Sequence, residues 1–164
     1  MVTGCSSGGK STLIGVLSKR GFDVVEEPGL RIIRSGGSPP WDDLNSFIDA
    51  VIKQSKADLE EYSDAKRPTF FDRGLFDALS GFAARNKVPL ESLLPDDFSF
   101  TQPVFYVPPW PEIFVNTAER RLSMAVAIEE ADRIERDLIA MNIDYVEVPK
   151  TSPEARADFV LSYL

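Results

Sequence analysis

The residues best suited to chemistry lie together in one glycine-rich stretch near the start of the sequence. Gly4, Gly9, Lys10 and Ser11 have the spacing G-x-x-x-x-G-K-[ST]. Glycines let the backbone turn tightly, so that several N–H groups converge with no Cβ atom in the way. The lysine can reach the outer phosphates of a nucleotide, and the serine hydroxyl can bind Mg2+. The stretch 4–12 therefore predicts a phosphate-binding loop.

The residues on either side of this stretch supply the context that such a loop requires. Met1-Val2-Thr3 is typical of the end of a strand, and the apolar residues from Leu13 to Leu17 have helical spacing up to Gly21. A helix that begins near Lys10 would add the positive end of its dipole to the same point. The alternative, a flexible glycine–serine linker, gives no reason for an amphipathic helix to follow at once.

Two acidic residues end the next β-prone run, Phe22 to Glu27. Ligands of open parallel sheets gather beyond the carboxyl ends of the strands, so Glu26 and Glu27 are expected near the phosphate loop. Whichever of them faces the phosphates could accept a substrate proton or hold a magnesium-bound water. A solvated acidic turn is the alternative. Arg31 and Arg34 follow, either to hold an anionic acceptor or as surface charge.

A second informative stretch follows the short apolar strand predicted at 69–71. Asp72 and Arg73 stand at its carboxyl end. A carboxylate at that position beside a phosphate loop suits a magnesium-organising role, and Arg73 would lie close to the transferring phosphate or the acceptor. The alternative is that Asp72 only caps the next helix, predicted from Leu75 to Arg85.

The densest pair of adjacent cations is Arg120-Arg121, in a helix predicted to run from an Asn116 cap to about Met141. Periodicity predicts one apolar stripe along this helix, formed by Ala127, Ala131, Ile134, Leu138 and Met141. An arginine from a mobile segment can neutralise the charge that spreads over the phosphate oxygens during transfer, because its planar fork binds two oxygens at once. The alternative is a pairing with nearby acids on a solvated face. The sequence does not choose between the two arginines.

Three further elements complete the pattern. The clearest amphipathic helix is predicted from Trp41 to Tyr62, with Asp42 or Asp43 as its cap and one buried apolar face, and Trp41 could pack there or stack on a substrate ring. Strands are predicted at 103–107 and 143–148, and a last helix is capped by Thr151 or Ser152. The inward residues of that helix are expected to be Ala155, Phe159 and Val160. The alternation of strands and helices predicts an α/β fold with a mostly parallel sheet and helices on both faces.

The composition excludes several function classes. The 164-residue chain has a formal charge of −8, so we expect no broad nucleic-acid surface. With no histidine and one cysteine, Cys5, it lacks the residues for a histidine triad, a structural zinc site or an internal disulfide. No apolar run approaches the roughly 20 residues of a membrane span, and no targeting peptide is visible. We expect a single domain in a reducing, cytoplasmic compartment, with Cys5 as a filler.

Five of these stretches together resemble a known family. They are the loop 4–12, the strand ends Glu26-Glu27-Pro28 and Phe71-Asp72-Arg73-Gly74, Pro108-Pro109-Trp110 together with Asn116 to Arg121, and Val148-Pro149. The chain resembles small P-loop ATPases and kinases of the AAA-type ATPase domain group, which are related to nicotinamide-riboside-kinase-like and nucleoside-monophosphate-kinase-like proteins. The resemblance covers nearly the whole chain, and the loop is its most specific part.

The resemblance implies a three-layer αβα fold with five parallel strands in the order 2-3-1-4-5, which binds ATP and Mg2+. It further implies one kinase-like domain over 1–164 with a small lid near 110–122. By position, the phosphates would be cradled by Gly4, Ser6, Ser7, Gly8, Gly9, Lys10, Ser11 and Thr12.

The resemblance also assigns roles outside the loop. Asp72 would work with the metal, Arg73 and either Arg120 or Arg121 would face the phosphates, and Pro149 and Lys150 would border the adenine. The pair Glu27-Pro28 resembles that of deoxynucleoside kinases, whose glutamate serves as the base.

Two functions of different classes fit these residues. The first is a magnesium-dependent phosphotransferase that uses ATP and a small-molecule acceptor, such as a nucleoside or nucleotide, and it predicts a second pocket beside the loop. The second is a stand-alone ATPase or nucleotide-dependent switch. That alternative predicts a closed or absent acceptor pocket and a protein-binding surface near Trp41 or Pro109.

Overall fold

Strands and helices alternate along the chain. The computed structural model describes residues 1–95, 98–100, 102–115 and 122–164. The strands are β1 (Val2–Gly4), β2 (Asp23–Val25), β3 (Thr69–Phe71), β4 (Val104–Val107) and β5 (Tyr145–Glu147). The helices are α1 (Lys10–Lys19), α2 (Pro28–Arg34), α3 (Leu44–Glu61), α4 (Leu75–Asn86), α5 (Met124–Ala140) and α6 (Pro153–Leu161). Short 3₁₀ turns lie at Leu90–Ser92 and Pro111–Ile113.

The strand pairings in the described part of the chain are all parallel. One sheet has the order β1-β4-β5, with Val2 opposite Phe105, and the other pairs β2 with β3. A single parallel bridge between Val2 and Asp72 links β1 to the residue that follows β3. The parallel α/β arrangement is therefore confirmed, whereas one continuous five-stranded sheet stays a prediction.

Helices cover both faces of the strands. Successive side chains of β4 point to opposite faces, and each face packs against a different pair of helices. Val104 and Tyr106 belong to one buried cluster, together with α4 and the stripe of α5. Phe105 and Val107 belong to the opposite cluster, together with α1 and α6. The α5 stripe is the one that periodicity predicts, and its fully buried members are Ala127, Ala131, Ile134 and Leu138.

Three predicted helices differ in detail from the structure. Helix α5 begins at Met124 with Ser123 as its cap, so the predicted start at Asn116 is wrong. In α6, Arg156, Ala157 and Val160 are buried, whereas Ala155 and Phe159 are only half-buried. The buried residues of α3 are Ser55 and Asp58. The apolar face predicted to be buried is half-buried at Phe47, Ile48 and Val51 and exposed at Leu44 and Leu59.

Within the described residues, no helix combines the length and apolar character needed to cross a membrane.

Candidate functional site

The loop 4–12 joins β1 to α1 as a tight cradle. Its backbone enters the left-handed region at Gly4, with φ 106°, and at Gly9, with φ 87°. A Cβ atom on Gly4 would lie 2.2 Å from the Val107 carbonyl oxygen of the neighbouring strand. The first turn of α1 begins at Lys10, and its N–H groups have no acceptor inside the helix. The predicted sequence of strand, glycine-rich turn and helix is confirmed.

Lys10 lies almost entirely inside this cradle, with 3% of its surface exposed. Its Nζ donates to the carbonyl oxygen of Cys5 at 2.8 Å. The pKa of Lys10 is lowered to about 8, chiefly by burial and in part by the nearby Arg73, whereas Asp72 and Glu27 oppose the shift. Burial therefore makes the charged form of Lys10 unfavourable, and an anion bound in the cradle would stabilise that form.

Ser11 and Asp72 meet beside the cradle. The Ser11 hydroxyl donates to Asp72 Oδ2 at 2.9 Å, and Asp72 Oδ1 is buried with no hydrogen-bond partner among the described residues. Burial raises the pKa of Asp72, and Lys10 and Arg73 counteract this shift. The N-cap of α4 is Gly74, so the alternative in which Asp72 only caps that helix is wrong.

This pair suits Mg2+ by the chemistry of its donors. Magnesium prefers oxygen ligands, and it is commonly held by one or two protein groups together with substrate phosphates. Ser11 and Asp72 offer a hydroxyl and a carboxylate with one oxygen unpartnered. No three acidic or cysteine side chains converge as a metal site within the described ranges. The pair therefore fits a metal that is shared with a nucleotide.

Arg73 is the centre of a buried charge cluster. It has φ 62°, a conformation uncommon for a residue with a side chain, and its guanidinium reaches Asp77 at 3.0 Å, Glu130 at 3.2 Å and Glu27 at 3.8 Å. Burial by itself would lower the pKa of Arg73, but Glu130, Asp77, Glu27 and Asp72 together raise it above its usual value. The guanidinium is therefore fixed in place and permanently charged.

Further polar contacts brace this cluster. The Thr3 hydroxyl donates to Asp77, which ties β1 to α4. On α5, Arg133 donates to Ser80, which in turn donates to Asp137. The cluster thus connects the strand before the loop with both helices on that face of the sheet.

The two glutamates that follow β2 have different surroundings. The Glu26 side chain is 62% exposed and pairs with Arg34 at 3.5 Å, whereas the Glu27 side chain is 19% exposed and lies beside Arg73. Arg31 pairs with Asp58 of α3. Of the two glutamates, only Glu27 lines the larger cavity described next.

Two cavities open on opposite sides of the loop. The larger, of about 710 Å3, is lined by Ser6, Glu27, Arg73 and Asp77 and by an apolar wall that includes Leu30, Trp41, Phe47, Ile48 and Val51. The smaller, of about 300 Å3, is lined by Ser7, Gly9, Lys10, Ser11 and Thr12, with Trp110 and Arg156 opposite them. The apolar face of α3 therefore lines a cavity instead of filling the core.

Some predicted site residues lie elsewhere. Pro149 and Lys150 are exposed, and the smaller cavity is lined instead by Thr151, which follows them, and by Pro153, the first residue of α6. Arg120 and Arg121 lie outside the described residues. Cys5 is buried, its thiol donates to the backbone, and burial raises its pKa, all of which fit a filler.

Sequence reasoning missed Asp77, Glu130, Trp110 and Arg156. Asp77 follows Arg73 by four residues, and Glu130 lies next to the buried residues of α5. The available signal for both was a charged residue on an otherwise apolar helix face. Arg156 shares this feature, because it lies one turn before the buried Val160.

The comparisons with known proteins agree with this architecture. A family model described as AAA domain matches residues 1–156. Similar solved structures are those of deoxyadenosine kinase from M. mycoides with bound dATP (TM-score 0.65, covering 98% of this chain and 96% of that one) and with the products dCMP and a flexible dCDP (TM-score 0.66, 98% and 95%). A third, with bound dCTP, has a TM-score of 0.64.

The solved structures are each 14% identical to this chain, a level at which the likeness shows the fold alone. No curated protein matches the sequence. Because the family model spans nearly the whole chain, the protein belongs to the AAA domain family, whose members are P-loop proteins.

Proposed function

We propose that this protein is a magnesium-dependent phosphotransferase that moves the γ-phosphoryl group of ATP to a hydroxyl of a small molecule. One observation carries the proposal: the consecutive residues Ser6 and Ser7 line different cavities, so a donor on one side and an acceptor on the other would meet at the loop. A switch without an acceptor has no need of a 710 Å3 cavity beside its phosphate loop.

On the donor side, the smaller cavity would hold the nucleotide along residues 4–12. Lys10 would contact the outer phosphates, and the first turn of α1 would supply backbone N–H groups. Ser11 and Asp72 would hold Mg2+, whose charge would help to neutralise the phosphate oxygens.

On the acceptor side, Glu27 would be the general base. In the proposed transfer, the acceptor hydroxyl oxygen forms a bond to the γ-phosphorus, Glu27 takes the hydroxyl proton, and the bond to the β–γ bridging oxygen breaks to release ADP. Arg73 lies next to Glu27 and would hold this carboxylate in position while adding positive charge near the phosphoryl group.

The walls of the larger cavity favour an acceptor with a flat or apolar portion and no phosphate of its own. The apolar side chains of α2 and α3 suit a ring. The described arginines in the wall are already engaged: Arg73 with acids, Arg133 with Ser80 and Asp137, and Arg85 with Asn45 at 2.8 Å. A nucleoside or a similar ring-bearing alcohol fits these walls, and deoxyadenosine kinases share the fold.

The remaining elements of the proposal concern organisation. The chain would act as one domain over 1–164, with the two parallel sheets forming a single layer in the order 2-3-1-4-5, which the bridge between Val2 and Asp72 supports. The segment 110–122 would be a lid that brings Arg120 or Arg121 to the phosphates. Because Pro149 and Lys150 do not line the smaller cavity, they would border the base only at the outer edge of that cavity.

The test is ADP release from ATP and Mg2+, alone and with a panel of nucleosides, nucleoside monophosphates and sugars. The proposal expects a nucleoside or similar alcohol to raise turnover well above the rate with water. If no acceptor raises it, the stand-alone ATPase or switch replaces the phosphotransferase.

A further inference from the structure

Arg156, in the first turn of α6, is buried beside the phosphate loop and has no acidic partner in the part of the chain that the structure describes. Only 3% of its surface is exposed, and its Nε has no hydrogen-bond partner within the described ranges. The one hydrogen bond that Arg156 makes to a described residue reaches the Gly9 carbonyl oxygen at 3.4 Å, which is long for such a bond. Burial lowers the pKa of Arg156, and no charge of a described residue contributes to the shift. A buried cation in this state is costly to the protein.

In the wall of the smaller cavity, Arg156 lies close to both the Trp110 ring and the phosphate loop. The guanidinium carbon lies 5.8 Å from the centre of the Trp110 ring, and Arg156 lines the cavity together with the loop. A Cβ atom on Gly9 would lie 2.6 Å from Arg156 Nη1, so any larger residue at position 9 would displace the guanidinium. The loop and α6 therefore place a desolvated positive charge against the predicted phosphate cradle.

We propose that Arg156 binds the phosphate tail of the donor nucleotide and that this anion is the partner that its charge lacks among the described residues. The inference rests on the proposed binding of ATP in the smaller cavity. Arginine suits this role because its planar fork can bind two phosphate oxygens, and Trp110 holds that fork from one side. Arg156 would be a nucleotide-binding residue that adds to Lys10, which lies on the same cavity wall.

The alternative is that Arg156 only fastens α6 to the loop. The two roles predict opposite effects on stability. Removal of an unpaired buried charge should leave the melting temperature without nucleotide unchanged or raise it, whereas removal of a fastening should lower it. Arg20 offers a matched control, because it joins α1 to α6 through an ion pair with Asp158 at 2.6 Å and does not line the cavity.

The experiment is calorimetric titration of ADP, pyrophosphate and adenosine into the parent, Arg156→Met, Arg156→Lys and Arg20→Met. We expect Arg156→Met to bind ADP and pyrophosphate about 10- to 100-fold more weakly, the loss of one charge-assisted contact, and to bind adenosine as the parent does. Arg156→Lys should bind ADP and pyrophosphate with affinities between those of the parent and Arg156→Met. Arg20→Met should bind all three compounds as the parent does. The melting temperature of Arg156→Met should not fall.

A second readout follows from the contact with Trp110. In a Trp41→Phe background the remaining tryptophan is Trp110, and ADP should change its emission in the parent form but not in Arg156→Met. Unchanged binding of ADP by Arg156→Met would overturn the inference and leave the proposed function standing. An equal loss for adenosine would also overturn it, because the contact would then be to the base. A parent that binds no ADP would overturn both proposals.

Discussion

Two buried arginines lie on opposite sides of the phosphate loop, and they differ in their partners. Arg73, beside the larger cavity, has three carboxylates within 3.8 Å, whereas Arg156, beside the smaller cavity, has no acid within ion-pair distance in the described part of the chain. The first charge is balanced by the protein itself. The second has no acidic partner among the described residues, so under the proposed function the acceptor side is built in advance and the donor side would be completed by its nucleotide.

The largest expected effect concerns the carboxylate on the acceptor side. Glu27→Gln should lower kcat by about 10²- to 10⁴-fold, because the acceptor hydroxyl loses its base. Glu26→Gln is the matched control, since Glu26 is mostly exposed and pairs with Arg34. The measurement is ADP formation with a saturating acceptor. Equal rates in the two variants would remove the role proposed for Glu27.

The comparison of the two arginines predicts opposite effects of the same substitution on stability. Arg73→Met should lower the free energy of unfolding by about 3–5 kcal/mol, because it leaves the buried Asp77 and the half-buried Glu130 without their cation. Arg156→Met should not lower it. Urea unfolding of both variants measures the difference, and Arg67→Met, at an exposed arginine, serves as the control. Similar losses at positions 73 and 156 would contradict the distinction between them.

A smaller effect is expected at the metal pair. Asp72→Asn should reduce magnesium-dependent turnover by about 10- to 100-fold, while ADP binding without Mg2+ changes little, because the amide cannot replace the carboxylate charge. Magnesium titrations of turnover and binding in the same variant separate the two. If Asp72→Asn turns over as fast as the parent, the metal assignment is wrong.

The smallest effect is a dependence of nucleotide binding on pH. The pKa of Lys10 is lowered to about 8 from 10.5, and a bound phosphate favours the charged form, so binding takes up a proton between these values. ADP affinity should therefore fall by up to about tenfold per pH unit as the pH rises above 8. Over the same window the fold without nucleotide should gain stability, because the buried ammonium loses its proton. In Lys10→Ala, neither the affinity for ADP nor the stability without nucleotide should show this dependence on pH.

Local patterns in the sequence predicted the elements that depend on neighbours in the chain. The loop 4–12 and the α5 stripe follow from residue types and spacing alone, and both are present. The pairing of Ser11 with Asp72 was accessible too, since parallel strands bring their carboxyl ends to one edge. The start of α5 was missed because Asn116 and Glu119 resemble a capping pair, although Ser123 caps the helix.

Features that depend on distant contacts were not predictable in this way. Arg73 and Glu130 are 57 residues apart, and Arg156 and Gly9 are 147 apart, so only the folded chain shows which charges meet. Periodicity also cannot tell a core from a cavity wall: the apolar face of α3 has the right spacing, but it faces the larger cavity.

The most direct test of the central claim is a crystal structure with a non-hydrolysable ATP analogue and Mg2+. We expect a triphosphate along residues 4–12 with Arg156 on its phosphates, Mg2+ on Ser11 and Asp72, and Glu27 facing the γ-phosphate across an open larger cavity. A nucleotide that occupies the larger cavity, or a phosphate tail remote from Lys10 and Arg156, would contradict it.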